Sequence, residues 1–135
     1  MLTNDLHQAL IARLEGDATL SAALSGGSGI LSAMPRRRDF PFVLLASVET
    51  TDRATETHRG EAHTLLFEVW SRSTSRSELV NIAQRIETLL IDEPWSSAQT
   101  HVAVTSRLGC VTGHDRQSRA FVGRLRLRLI TEPKS

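Results

Sequence analysis

A run of fourteen residues, 49–62, with hardly an apolar side chain separates two strongly apolar segments of this sequence. Residues 42–48 before it are apolar at most positions, which is typical of a strand that is covered on both faces. Residues 63–71 after it place Leu65, Phe67 and Val69 on one face of a second strand. A long hydrophilic loop between neighbouring strands loses conformational entropy and buries nothing, so it is usually functional or mobile. We therefore predict a functional loop over residues 49–62.

Three further segments have the apolar spacing of amphipathic helices. Thr3 can cap a first helix over Asn4–Glu15, which Gly16 can end, and Asp17 can cap a short second helix through Leu24. A third helix is predicted to begin at the capping box Ser75-Arg76-Ser77-Glu78 and to run to about residue 91. Its apolar stripe consists of Leu79, Ile82, Ala83, Ile86, Leu89 and Leu90.

The remaining strand signals complete a single domain. Residues 30–34 predict a short edge strand, and the last third predicts two strands joined by a turn over residues 113–118, which therefore pair antiparallel. Apolar residues alternate as Val102, Val104, Leu108 and Cys110 in one strand and as Phe121, Gly123, Leu125, Leu127 and Leu129 in the other. The predicted fold over residues 1–135 is α+β, a single mainly antiparallel sheet with two to three helices packed on one face.

Composition and charge exclude several classes of protein. The 16 basic and 15 acidic side chains nearly cancel, so the whole chain is not the cationic body of a free nucleic-acid binder. The single Cys110 excludes an internal disulfide and favours a reducing compartment, and we interpret it as a small apolar strand residue. No window approaches the roughly 20 apolar residues of a membrane span.

No catalytic constellation is found, and we predict neither an enzyme nor a cofactor. The histidines His58, His63, His101 and His114 are scattered, and structural or surface roles are favoured over metal binding. For His63, at a strand start, we expect a ring nitrogen to hold a loop carbonyl.

Two local basic clusters leave alternatives open. Arg124, Arg126 and Arg128 alternate with leucines, so three guanidinium groups project from one face of a strand. This face is a solvated surface, a subunit interface that meets carboxylates, or a nucleic-acid contact. Arg36, Arg37 and Arg38 form a basic loop, for which solvation is favoured over phosphate contact.

Several short motifs carry a resemblance to a known family. They are the Leu6-x-x-Ala9-Leu10 helix face, Pro41-Phe42-Val43-Leu44, Gly60-x-x-His63, Phe67-x-Val69-Trp70-Ser71, Ala83-x-x-Ile86-x-x-Leu89 and the arginine-alternating last strand. Together the motifs span nearly the whole chain. In this combination the sequence resembles the tail-completion, or tail-terminator, family of long-tailed bacteriophages and phage-derived gene transfer agents.

The resemblance implies an α+β subunit without catalytic residues that assembles as a homohexameric ring. The ring would cap the completed tail tube, contact the tail tube protein and the head–tail connector protein, and allow transient contact with passing DNA. The subunit would be made in the bacterial cytoplasm and would then become part of the tail of the particle. No membrane is expected as a partner.

A ring of this kind needs heterologous edges, in which one patch meets a different patch of its neighbour. Candidates for those edges are Arg124, Arg126 and Arg128 with the acidic positions Glu49, Asp52, Glu56 and Glu61. The loop over residues 49–62 would then become ordered on contact with tube subunits. Two rival classes remain, namely a small nucleic-acid-binding module that uses both basic clusters on one surface, and a small ligand-binding domain.

Overall fold

The two N-terminal helices begin where their capping residues predict. The computed structural model describes residues 3–53, 60–73 and 76–134. Helix α1 spans Asn4–Glu15, and its Leu6 amide donates to the Thr3 hydroxyl at 3.2 Å. Helix α2 spans Ala18–Ala23, and its Leu20 amide donates to the Asp17 carboxylate at 2.9 Å. Each cap satisfies a backbone donor that has no partner within the helix.

Five strands form one sheet in the order β1-β2-β3-β5-β4. Their bounds are Gly29–Leu31 for β1, Phe42–Asp52 for β2, Glu61–Ser71 for β3, Thr100–Asp115 for β4 and Ala120–Pro133 for β5. Only β1 pairs in parallel, with β2; the other three pairings are antiparallel. The predicted α+β class with a mainly antiparallel sheet is confirmed.

The predicted loop over residues 49–62 is wrong at both ends. Strand β2 continues to Asp52 and β3 already begins at Glu61, with Asp52 directly opposite Glu61. The Arg53 amide also donates to the Gly60 carbonyl at 2.8 Å, which extends the hairpin by one more pair. Polar threonines suit a strand as well as a loop because their β-branched side chains fit a pleated surface. Residues 54–59, including Glu56, lie outside the described residues.

The core lies between the helices and one face of the sheet. Helix α3, Ser77–Glu87, continues into a single π-helical turn, Thr88–Asp92, and the predicted apolar stripe is buried along both. The facing sheet residues are Leu65, Phe67, Val69, Leu125, Leu127 and Leu129, all buried. Gly123 lies under Leu79 so closely that a Cβ there would be 2.9 Å from Leu79 Cδ2. Helix α3 therefore approaches β5 over a position without a side chain.

The start of α3 differs from the predicted capping box. Arg76 is the N-cap residue and makes no side-chain cap, while Ser75 lies outside the described residues. The Glu78 carboxylate instead accepts a hydrogen bond of 2.6 Å from the Ser71 hydroxyl at the end of β3. Glu78 thus ties the helix to the preceding strand.

The alternation predicted for β4 is also wrong. Irregularities in register between Val102 and Val104, and between Arg107 and Gly109, each add one residue on β4. An extra residue reverses the side on which the following side chains point. Val104 and Leu108 are consequently 50% and 45% exposed instead of buried. The turn between β4 and β5 is shorter than predicted, since β4 runs to Asp115, but the antiparallel pairing is confirmed.

Candidate interaction surfaces

The helices cover one face of the sheet, and the second face is open along residues 124–128 of β5. The other end of that second face is closed by a second buried cluster, which consists of Phe42, Leu44, Trp70, Ala120 and Val122. On this open face, the register sets Arg124 opposite Glu68, Arg126 opposite Leu66 and Arg128 opposite Thr64. All three arginines are exposed, and the leucines between them are buried on the helix side. The predicted cationic face of β5 is therefore present, and we name these three residues the arginine row.

The arginine row is only partly neutralised within the chain. Arg124 Nε lies 3.2 Å from Glu68 Oε2, and Glu68 Oε1 accepts a hydrogen bond of 3.2 Å from Trp70 Nε1. Neither Arg126 nor Arg128 has an ion pair with any residue that the structure describes. Two fixed positive charges thus remain available on the open face.

The structure separates the predicted acidic positions. Glu49 pairs across the sheet with Thr64, which in turn pairs with Arg128, so Glu49 lies in the same row and on the same face as Arg128. Asp52 and Glu61 are opposite one another at one end of the sheet, where both line a cleft with Thr131 on the helix side. Among the acidic positions that the structure describes, Asp52 and Glu61 therefore form the patch distinct from the arginine row.

His63 is a structural residue, but its partners differ from the predicted loop carbonyl. Its Nδ1 lies 2.9 Å from the Thr50 hydroxyl and its Nε2 lies 3.0 Å from the Thr131 hydroxyl. The ring is buried, and this burial lowers the pKa of His63 below its usual 6.5. The imidazole is therefore neutral at neutral pH and joins three strands. His58 lies outside the described residues, among which no group of three metal-ligating side chains converges.

A second cationic surface lies at the end of the sheet where β2 begins and β3 ends. Three segments meet there, namely the loop 32–41 with the predicted basic residues, the described residues 72, 73 and 76 after β3, and the turn 116–119 between β4 and β5. Arg38 donates to the Ser118 hydroxyl at 2.7 Å, and Arg72 donates twice to the Ser118 carbonyl at 3.3 and 3.2 Å. We name this surface the arginine end.

Aromatic rings support the guanidinium groups at the arginine end. The Arg38 guanidinium lies 5.7 Å from the centre of the Trp70 ring, and that of Arg72 lies 4.2 Å from the centre of the Phe40 ring. Both distances are within the range of cation–π attraction. Behind them Phe42 stacks on Trp70 with ring centres 6.0 Å apart. Sequence reasoning found Arg38 but missed Arg72, whose only signal is its place just after a strand that ends in Trp70 and Ser71.

Cys110 lies in an intermediate environment on the helix side of β4, near Leu79 and Ala83 of α3. Its partial burial raises the pKa of the thiol, which is protonated at neutral pH as a consequence. This agrees with the interpretation of Cys110 as a small apolar residue.

The model of one protein family, tail completion protein gp17, matches residues 8–132. The chain belongs to this family. Members are structural proteins of phage tails, so the chain is a tail component of a phage-like particle and not an enzyme. No helix within the described residues is long and apolar enough to cross a membrane. The family resemblance found in the sequence is thereby confirmed.

Two solved structures share this fold. A chain from the virion of a native gene transfer agent particle is 17% identical, with 97% of both chains covered and a TM-score of 0.83. The gp17 protein of bacteriophage SPP1 is also 17% identical, with 91% of this chain and 86% of that chain covered and a TM-score of 0.55. None of the curated protein sequences matches.

Proposed function

We propose that the chain is the tail completion subunit that forms a ring on the end of the tail tube and joins the tail to the head connector. Membership of the tail completion family supports this role, and the gene transfer agent virion supplies a matching fold over the full length. The observation that carries the proposal is the open sheet face, where the arginine row stands exposed on a rigid central strand. Assembly would take place in the bacterial cytoplasm, before the subunit becomes part of the tail.

The arginine row suits a protein partner with carboxylates. Guanidinium groups present a planar fork that matches a carboxylate, and strands hold such groups in fixed positions. On the outer strand Val104 is 50% and Val111 is 70% exposed, and Val111 pairs with Arg124. Apolar side chains beside arginine are the composition of protein interface centres. The row would therefore contact a ring neighbour or the tail tube.

Heterologous contacts require a second, different patch on the neighbouring subunit. Asp52 and Glu61, at the end of the β2–β3 hairpin, form the acidic patch that is best separated from the arginine row. Glu49 lies too close to Arg128 in the same subunit to define a separate edge. Glu56 remains a candidate from the sequence alone.

The test replaces Arg124, Arg126 and Arg128 together by serine. The monomer should remain folded, because Leu125, Leu127 and Leu129 still carry the buried side of β5. Each close charge pair lost at an interface can cost from about one to several kcal/mol, and the loss repeats at every boundary of a ring. Particles made with the variant should show tails of irregular or excess length, or tails detached from heads, in negative-stain micrographs.

A matched control replaces Arg107 by serine. Arg107 is also an exposed strand arginine, but it pairs with Glu87 of α3 at 3.2 Å on the helix side. Particles with this variant should have normal tails. Attached tails of uniform length in the triple variant would leave the arginine row as a solvated surface and remove the main support for the proposal.

A further inference from the structure

The arginine end concentrates positive charge that the ring proposal does not use. Its three segments and the last residue of β4 contain seven arginines, two carboxylates and no lysine. The arginines are Arg36, Arg37, Arg38, Arg72, Arg76, Arg116 and Arg119. The carboxylates are Asp39, which lies 3.3 Å from Arg37, and Asp115, which accepts the Ser118 amide at 2.9 Å. A large local excess of positive charge therefore exists in a chain whose formal net charge is +1.

Some of these arginines make contacts within the chain that hold the surface together, and others are exposed to solvent. Arg38 and Arg72 are held by Ser118 and by aromatic rings, and Arg76 lies 5.3 Å from the centre of the Phe121 ring. Arg36, Arg116 and Arg119 are exposed and form no ion pair with the residues that the structure describes, so their guanidinium groups are accessible to solvent on two separate loops. Helix α3 also begins at this end, where the carboxylate of Glu78 in its first turn offsets the partial positive charge of its N-terminus.

We propose that the arginine end binds the phosphate backbone of double-stranded DNA. Several arginines held in fixed positions can each bind a phosphate of the DNA backbone. Such contacts are the usual source of sequence-independent affinity for DNA. The inference goes beyond the proposed ring, because it concerns other arginines and a different class of partner.

The arrangement of the aromatic rings favours double-stranded over single-stranded DNA. Proteins that bind single strands stack bases on exposed aromatic side chains. Here Trp70 and Phe42 are buried, and the guanidinium groups of Arg38 and Arg72 cover the Trp70 and Phe40 rings. Guanidinium groups occupy the positions over these rings where a base would stack, so phosphates of a duplex are the better fit.

The guanidinium groups that cover the aromatic rings also argue against an acidic protein as the partner. Protein interfaces have an apolar centre that is fully desolvated on binding. At the arginine end the Trp70 and Phe40 rings already lie beneath guanidinium groups. The exposed described residues are mostly arginines, Gln117 and serines, with Ala33 and Met34 as the apolar exceptions. Such a layer offers charge and hydrogen-bond donors but little apolar area.

The experiment measures binding of the purified chain to a fluorescent duplex of about 20 base pairs by anisotropy, from about 50 to 200 mM salt. Three outward arginines predict a slope of about −3 in a plot of log affinity against log salt, since each phosphate contact contributes about 0.9. Replacing Arg36 and Arg116 by serine should reduce the slope by about 2. Replacing Arg53 and Arg107 by serine changes the net charge equally but away from the arginine end, and it should leave the slope within about 0.5 of the original value.

Three results would overturn the inference: an unchanged slope in the Arg36/Arg116 variant, binding of a single strand at least as tight as the duplex, or displacement of the duplex by an equal charge of polyglutamate. Lysine at both positions keeps the charge and should restore the slope, and this variant also guards against misfolding of the serine variant. The Arg36→Ser and Arg116→Ser changes leave the arginine row intact, so this experiment tests the inference independently of the ring proposal.

Discussion

Asp17 connects two helices through one carboxylate, and removal of its charge should have a measurable cost. The side chain caps α2 and also accepts two hydrogen bonds from Arg85 of α3, at 2.8 Å from Nε and 2.6 Å from Nη2. The hydrogen bonds from Arg85 are the main reason that the pKa of Asp17 falls from 3.8 to about 2. The perturbation that isolates this charge is Asp17→Asn, because asparagine is an equally good N-cap residue.

The size of the effect follows from the change in pKa. A fall from 3.8 to about 2 corresponds to roughly 2.4 kcal/mol of preference for the ionised form in the folded state. Only 11% of the Asp17 side chain is exposed, but 32% of the Arg85 side chain is, so solvent screening reduces the value. We expect Asp17→Asn to lower the free energy of unfolding by about 1–2 kcal/mol at neutral pH.

The sign of the pH dependence is fixed by the direction of the change. A carboxyl group with a lowered pKa in the folded state contributes fully above its unfolded value and loses this contribution as the pH falls towards about 2. Urea unfolding followed by circular dichroism should therefore show the difference between wild type and variant shrinking to roughly half by about pH 3. Asp92→Asn, an exposed carboxyl group in the π-helical turn, is the matched control and should change little. A difference that is absent at neutral pH, or equal at both pH values, would refute the reasoning.

Other substitutions test the core, the buried histidine and the hairpin. Ile86→Asp places an unpaired charge at a fully buried position of α3 and should cost several kcal/mol and abolish soluble expression; a variant with the melting temperature of the wild type would contradict the packing described. Gly123→Ala should lower the free energy of unfolding by about 1–3 kcal/mol, because the new Cβ meets Leu79 at 2.9 Å, and urea unfolding would reveal the opposite sign if Leu79 simply moved aside. The thermal midpoint should fall as the pH drops below about 6.5, since the unfolded His63 takes up a proton that the buried ring resists, and His63→Asn should weaken this dependence. Hydrogen-bonded amides of residues 49–52 should exchange slowly in the free chain, and exchange as fast as in an unfolded peptide would contradict the extended hairpin.

Much of the fold follows from local patterns in the sequence. The caps at Thr3 and Asp17 and the stripe of α3 depend on neighbouring residues only, so their positions were predictable within a residue or two. The hairpin of β2 and β3 was not, because Glu49, Thr50 and Asp52 are as polar as a loop and become strand residues only through their partners on β3. Strand pairing is a tertiary property that overrides weak local preference.

The interaction surfaces show the same division. The arginine row was predictable, since alternation along one strand needs no knowledge of its neighbours. The register irregularities of β4 leave no comparable pattern, and the exposure of Val104 could not be foreseen. The arginine end was predicted only at Arg36, Arg37 and Arg38, because the other contributors come from segments that are distant in the sequence. The assignment of interface roles to these residues stays a prediction.

The hydrogen bonds of Ser118 to two distant arginines constrain how related sequences can diverge. Its hydroxyl accepts a hydrogen bond from Arg38, which lies eighty positions earlier in the sequence. Its backbone carbonyl accepts hydrogen bonds from Arg72, which lies forty-six positions earlier. A change in the length of the turn that carries Ser118 would displace both acceptors at once and uncover the rings beneath. Substitutions at positions 38 and 118 are therefore expected to covary among related chains, although the two are distant in sequence, whereas Arg72 depends on the length of the turn because it binds a backbone carbonyl. An alignment in which position 118 varies freely while Arg38 stays fixed would show that these two loops evolve independently.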